Sequence, residues 1–261
     1  MTVFEVLFLG LVQGLTEFLP VSSSGHLVVS QYFLDVTAAE ASLSFDIFLH
    51  FSTLLAVILF FRKRILKLRV RDFVYLGVAS VPAAVLGILF RHAIESVFSS
   101  FYFVLGTLFV TGLLNFRTSS LLKKRDESFE PAAMSVKKAM SIGLFQAAAL
   151  LPGISRSGST VFAGVQSKLS RKEAFEFSFV MSIPIILGGS LVQLLDVYRD
   201  GEFLSIDPGL FLLGGAAAFI TGIVSLTVFR QVIERAKLEW FGWYCMALVF
   251  VLLLFEVFPK V

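Results

Sequence analysis

Charge is scarce in this chain of 261 residues: only 16% are Asp, Glu, Lys or Arg, and the first 61 positions hold no Lys or Arg. A water-soluble domain of this size carries more. Cysteine occurs once, at Cys245, which excludes an intrachain disulfide. Its setting, the apolar run FGWYCMALVF, reads as packing rather than as a reactive thiol. A net charge of +3 is small, and the basic residues lie in short loops between apolar runs, so no nucleic-acid partner is expected. The opening MTVFEVLFLGL lacks the basic n-region of a secretory signal peptide and is expected to be retained.

What is abundant is apolar. Hydrophobic residues make up 57% of the chain, thirty of them Phe, with nineteen Gly and seven Pro. That mixture fits a helical membrane bundle, in which small residues allow close packing and broken helices survive where protein covers them. Six apolar segments have about the length of a span: 44–61, 73–90, 101–116, 175–196, 210–229 and 240–258. Eighteen helical residues reach about 27 Å, close to a hydrocarbon core of about 30 Å. Two further stretches, 4–34 and 138–168, are interrupted at LPVSSSGH and LPGISRSGST. Each half is too short to cross, which predicts helical hairpins that enter and return on one side.

The loops set an orientation. Eighteen of the 22 Lys and Arg fall in 62–72, 117–138, 168–172 and 230–237, whereas 91–100 and 196–209 carry one each, the latter beside Asp196, Asp200, Glu202 and Asp207. Six spans and two non-crossing hairpins put all the basic loops on one side, which is then cytoplasmic, with both termini outside. The interrupted stretches also match at an offset of 133 residues, setting Ser22, Ser24 and Gly25 against Ser155, Ser157 and Gly158. A single membrane domain, 1–261, thus divides into halves 1–130 and 131–261, each one hairpin plus three spans. Three is odd, so the halves are inserted oppositely and the hairpin tips can meet.

Ionisable groups in such segments need a reason. Glu17, His26, Asp46 and Arg156 are the candidates. In QGLTEFLPVSSSGH, Gln13 and Glu17 share a helix face, Pro20 stops that helix, and Ser22, Ser23 and Ser24 sit where a second begins, with His26 nearby. In LPGISRSGST, Gly153 and Gly158 allow close backbone approach, and Ser155, Ser157, Ser159 and Thr160 can cap or donate. A helix N-terminus with Arg156 beside it suits a phosphate. Blander readings stand beside these: serines and glycines as caps and packing, Arg156 with Glu17 as a structural ion pair, and Asp46 with His50 as solvated interfacial residues.

Together the two hairpins closely resemble the undecaprenyl-diphosphate phosphatase family, the bacitracin-resistance proteins called BacA or UppP. The resemblance covers essentially the whole chain and rests on QGLTEFLPVSSSGH and on PGISRSGST from Pro152 to Thr160. It implies hydrolysis of a C55-type polyprenyl diphosphate to the monophosphate and inorganic phosphate, recycling a lipid carrier for envelope polysaccharides at the plasma membrane. It implies Glu17, Ser23, His26 and Arg156 as catalytic residues, with Ser23 as nucleophile and His26 as its base, or else direct attack by water. Gln13, Ser22, Ser24, Gly153, Ser155, Ser157, Gly158 and Thr160 are expected to bind substrate. A divalent cation, Mg²⁺ or Ca²⁺, is implied on Glu17; Gln13 stands where many members have a second Glu, which leaves that metal short of one carboxylate. The site is expected to open outward, and a homodimer is one expected state. Acid-phosphatase-like lipid phosphatases are excluded, because there is no Arg-Pro dipeptide and position 162 is Phe. A transporter or flippase of a polyprenyl phosphate or another anion is the rival reading, since inverted repeats with broken helices also build carriers.

Cysteines introduced at 64 and 203 test the orientation. In intact cells a membrane-impermeant thiol reagent is expected to label position 203 and spare 64; the reverse pattern would invert the topology.

Overall fold

Apolar runs without β-branched alternation fold here as helices throughout. A computed structural model of the chain describes residues 1–34, 43–98, 100–125, 129–200 and 207–257. Among the described residues there are twelve helices and no strand: α1 Val3–Phe18, α2 Ser23–Leu34, α3 Leu43–Phe60, α4 Arg62–Ile65, α5 Val70–Leu89, α6 Arg91–Phe98, α7 Phe101–Lys123, α8 Val136–Ala148, α9 Arg156–Gln166, α10 Arg171–Asp200, α11 Pro208–Glu234 and α12 Glu239–Val257. Four contain stretches long and apolar enough to cross a membrane: Val70–Leu89, Phe101–Lys123, Arg171–Leu195 and Pro208–Glu234. Phe45–Phe60 and Glu239–Phe255 are shorter apolar helices. Each apolar segment expected from the sequence is therefore helical; position 258 of the last one, and Glu202 and position 203 of the acidic loop, lie outside the described residues.

Local chemistry sets the helix ends. Thr2 and Glu5 form a capping box at the start of α1, Thr2 N–H donating to Glu5 Oε2 at 2.8 Å and Glu5 N–H to Thr2 Oγ1 at 3.3 Å. Pro20 ends α1 by forcing Leu19 into an extended conformation, φ −68° and ψ 147°. Asp207 caps α11, with Pro208 in the first turn where its missing N–H costs nothing.

Packing then pairs the elements. Helix α1 lies along α11, and α8 lies along α5; α3 packs on both α10 and α11, and α7 on α12. Small residues make the first two crossings close. A Cβ at Gly10 would run into Gly214 O, and one at Gly143 would stand 2.5 Å from Ala79 O. Ser225 Oγ of α11 also donates to Gly14 O at 2.8 Å. Between these crossings lies a core of aromatic rings centred on Phe179, whose ring centroid is 5.7 Å from Phe18, 5.7 Å from Phe61, 4.9 Å from Phe175 and 6.0 Å from Phe229.

Several basic residues close one end of the bundle. Arg125 donates to Leu169 O at 2.7 Å and Val165 O at 2.6 Å, and Arg171 to Glu234 O at 2.6 Å and Leu122 O at 3.2 Å. These carbonyls sit at or just past the C-terminal ends of α7, α9 and α11, where a guanidinium satisfies orphan acceptors and meets the negative end of the helix dipole. Lys123 and Ser119 of α7 both bond Glu239 at the start of α12. The basic end is thus stitched together as well as charged.

The α5–α8 crossing predicts a contrast between two alanines. Gly143→Ala should lower the thermal midpoint in detergent, at a cost of about 1–3 kcal/mol from overpacking. Gly77→Ala, where a Cβ would meet nothing within 4 Å, should leave it unchanged or raise it through helix propensity. Equal effects would contradict the close crossing.

Candidate active site

Both interrupted stretches fold as helix–turn–helix hairpins, α1 with α2 and α8 with α9, and their tips meet against α7. At the first tip Ser22 takes φ +70°, in the left-handed region. Its carbonyl accepts from His26 N–H at 3.2 Å and lies 2.7 Å from His26 Nδ1. At the second tip Gly153 takes φ +88°, and a Cβ there would strike Thr107 Oγ1. No other residue fits that turn without displacing α7.

One face of α7 holds both tips. Thr107 Oγ1 donates to Pro152 O at 2.5 Å, Thr111 Oγ1 donates to Gly153 O at 2.8 Å and accepts from Ser155 N–H at 3.0 Å, and Asn115 Nδ2 donates to Pro20 O at 2.6 Å. Ser157 Oγ donates across to Leu19 O at 3.1 Å. Each bond satisfies a backbone group freed where a helix breaks, which buried protein requires. Thr107, Thr111 and Asn115 recur every four residues within an apolar helix; that buried polar stripe was the sequence signal for them, and the sequence reading missed it.

Glu17 is the centre of what remains. It is buried, and its Oε1 accepts from Arg156 Nη2 at 2.5 Å. Its Oε2 accepts from Ser23 Oγ at 2.7 Å and from Gln13 Nε2 at 3.3 Å. His50 of α3 brings Nε2 to 3.9 Å from the same Oε2. Arg156 also lies over the Phe179 ring, 5.9 Å from its centroid, so the aromatic core forms the floor of the site. Among the described residues, Arg156 Nη1 and Gln13 Oε1 are buried without a partner, as are Asn115 Oδ1 on α7 and Ser159 Oγ on α9.

The structure therefore brings Gln13, Glu17, Ser23 and Arg156 together and adds His50. His26 is placed differently. With Nδ1 on the Ser22 carbonyl, its Nε2 faces Tyr244 Oη at 2.7 Å, and the His26 and Tyr244 rings lie nearly parallel, 5.6 Å apart. Ser23 has Glu17 as its acceptor. Among the expected binding residues, Ser22 and Ser24 share a hydroxyl contact of 3.2 Å, as do Ser155 and Ser157. Ser155 Oγ caps Gly158 N–H at 3.1 Å, and Thr160 Oγ1 is 2.5 Å from Ser178 Oγ. These hydroxyls shape the turns; the groups with spare capacity are Arg156, Gln13 and the first amides of α9. Tyr244 lies 218 residues from His26, and nothing in the local pattern of α12 marks it.

Comparison with known proteins gives the same direction. Residues 6–251 match the family described as bacitracin resistance protein BacA. An undecaprenyl-diphosphatase of Rubrobacter xylanophilus is 39% identical over 262 residues, covering 94% of each chain. Another, of Methanobrevibacter smithii, is 36% identical over 273 residues, again 94% of each. A third, of Flavobacterium psychrophilum, is 32% identical and covers 99% of this chain and 97% of its own.

The buried pair makes a prediction for stability. Arg156→Gln strands a buried carboxylate and should cost about 3–5 kcal/mol, whereas adding Glu17→Gln to it should recover much of that loss. Thermal unfolding of the two single variants and the double variant completes the cycle. Additive losses would mean that the pair is not coupled.

Proposed function

The chain belongs to the bacitracin resistance protein BacA family, and on that footing we propose that it removes the terminal phosphate of undecaprenyl diphosphate, leaving the monophosphate and inorganic phosphate. The observation that carries the assignment to residues is the convergence of Ser23 and Arg156, from opposite hairpins, on the single carboxylate of Glu17.

The chemistry follows from those contacts. Ser23 already shares its proton with Glu17, so Glu17 is the acceptor as Ser23 Oγ attacks the terminal phosphorus. The bond to the bridging oxygen breaks, and the lipid monophosphate departs. Glu17 releases that proton to the departing monophosphate; water then hydrolyses the phosphoserine, its proton passing to Glu17 and on to Ser23 Oγ as inorganic phosphate leaves. Arg156 offers Nη1 to the phosphate while Nη2 remains on Glu17, which gives charge stabilisation where a phosphoryl transfer needs it. His26 acts from the same helix as Ser23: it bonds the Ser22 carbonyl and so fixes the turn from which Ser23 emerges. Direct attack by water, with Glu17 or His26 as base, uses the same groups and leaves no phosphoserine.

The residues present also fit a divalent cation such as Mg²⁺ or Ca²⁺. Glu17 and Gln13, its amide turned so that Oε1 takes the place of Nε2 beside Glu17, would hold it, and because the described residues include no group of three or more His, Cys, Asp or Glu, most remaining ligands would come from the diphosphate. When bound, it would neutralise charge on the phosphates.

In the membrane we place α3, α5, α7, α10, α11 and α12 as spans and the α1–α2 and α8–α9 pairs as re-entrant hairpins, in two inverted halves, 1–130 and 131–261. Supporting this is the exchange of partners: the first hairpin packs on α11 of the second half, the second hairpin on α5 of the first, and α3 meets α10 as α7 meets α12. Gly10 and Gly143, which make the two hairpin crossings close, are themselves 133 residues apart. The reading puts the protein in the plasma membrane, with both termini and the opening of the site on the extracytoplasmic side.

Phosphate release from undecaprenyl diphosphate by the detergent-purified protein tests the proposal, with Mg²⁺ or Ca²⁺ and with chelator. Release should depend on the cation, and Ser23→Ala, Glu17→Gln and Arg156→Ala should each lower kcat by at least about 100-fold. Full activity in Ser23→Ala would move the attack to water. A folded wild type that releases nothing would turn the reading toward an anion carrier.

A further inference from the structure

His50 presents an electrostatic contradiction that a bound ion resolves. Its Nδ1 lies 2.8 Å from the carbonyl oxygen of Asp46, one turn back on α3. A carbonyl only accepts, so Nδ1 carries the proton, and in a neutral imidazole Nε2 is then a bare lone pair. That lone pair faces Glu17 Oε2, another acceptor, at 3.9 Å, beyond hydrogen-bond length. Two acceptors turned toward one another in a site where the carboxylate is buried need positive charge between them, either a proton on Nε2 or a metal ion.

The spacing fits a metal ion. Two donors each about 2.1 Å from one ion stand roughly 3 Å apart when adjacent and about 4 Å apart when opposite. Histidines that bind metals also give their other N–H to a carbonyl or carboxylate, which fixes the ring and bares the ligating nitrogen. The Asp46 carbonyl does this for His50. Gln13 supplies an independent indication: it is fully buried, and its Oε1 has no partner although its Nε2 lies 3.3 Å from Glu17 Oε2. A half-turn of that amide exchanges the two atoms and brings an oxygen donor to the same carboxylate lone pair.

We propose that His50 Nε2, Glu17 Oε2 and Gln13 Oε1 form a divalent cation site in which His50 is the nitrogen ligand. The cation requirement is taken from the phosphatase reading, but binding needs no substrate. One imidazole and one amide in place of a second carboxylate lower the charge of the site and favour Mn²⁺ or Zn²⁺ over Ca²⁺. His50 is also the most exposed of the three, its side chain 35% accessible, which leaves an entry path on the α3 side.

Mn²⁺ added to the purified, substrate-free protein reports on this through electron spin echo envelope modulation. Wild type should show imidazole ¹⁴N modulation, which changes to the ¹⁵N pattern when histidine alone is ¹⁵N-labelled, a test that requires no substitution. His50→Gln should abolish the modulation and weaken Mn²⁺ binding at least about tenfold. His26→Gln and His92→Gln should retain the modulation. The proposal is overturned by Mn²⁺ that binds without nitrogen modulation, by modulation that persists in His50→Gln, or by no Mn²⁺ binding, which would make His50 and Glu17 a simple ion pair. Phosphate release measured on the same wild-type preparation shows separately whether the phosphatase reading stands.

Discussion

A carboxylate taken out of water has to be met by donors or by positive charge, and in this chain that requirement is what joins the two hairpins. Glu17 lies at the end of α1 and is buried; no group in its own hairpin carries the charge to balance it. Arg156, 139 residues away, does. Neither side chain is tolerable alone at that depth, so folding one hairpin tip into place demands the other. The rings beneath the pair, with Phe179 at their centre, keep water out and give the contact a low-dielectric setting. The stability of the interface and the chemistry of the site thus draw on the same bond.

Bringing the tips together exposes the backbone groups released at Pro20 and at Pro152–Gly153. Helix α7 meets them with Thr107, Thr111 and Asn115. The hydroxyls and amide occupy successive turns of one face, so they form a straight rail along which the two broken segments are docked in register. Gly153 must be glycine for the same reason, because the rail comes too close for a Cβ.

Much of this was legible in the order of residues. The interruptions at LPVSSSGH and LPGISRSGST mark the two helix–turn–helix pairs, Glu17 and Arg156 stand out because charge in apolar surroundings needs a partner, and Ser23 is distinguished from its neighbouring serines by the family resemblance. What could not be read was who meets whom across the bundle. The family resemblance implies His26 as Ser23's base; in the structure Ser23 turns toward Glu17 and His26 toward Tyr244. His50 looked like an interfacial residue, since its relation to Glu17 exists only once α1 and α3 are side by side. Local periodicity reports faces of helices, and tertiary contact decides which faces become a site.

The sequence match at an offset of 133 sets unlike groups at corresponding positions of the two turns. Ser22 caps Gly25 as Ser155 caps Gly158, and the Ser22–Ser24 and Ser155–Ser157 hydroxyl contacts are both 3.2 Å, so these serines play matching parts at an offset of 133, while the left-handed residue is Ser22 in one turn and Gly153 in the other. At the position between those serines one turn carries Ser23 and the other Arg156, and both reach the same carboxylate. The equivalent of Glu17 in the second half is Leu150. Matching positions therefore deliver two different groups, a hydroxyl and a guanidinium, to opposite oxygens of one acid, and Arg156 Nη1 is left without a partner. Leu150 lies beside Gly87 of α5. Arg156 is thus half-paired: Nη2 is committed to Glu17, and Nη1 is buried without a partner among the described residues.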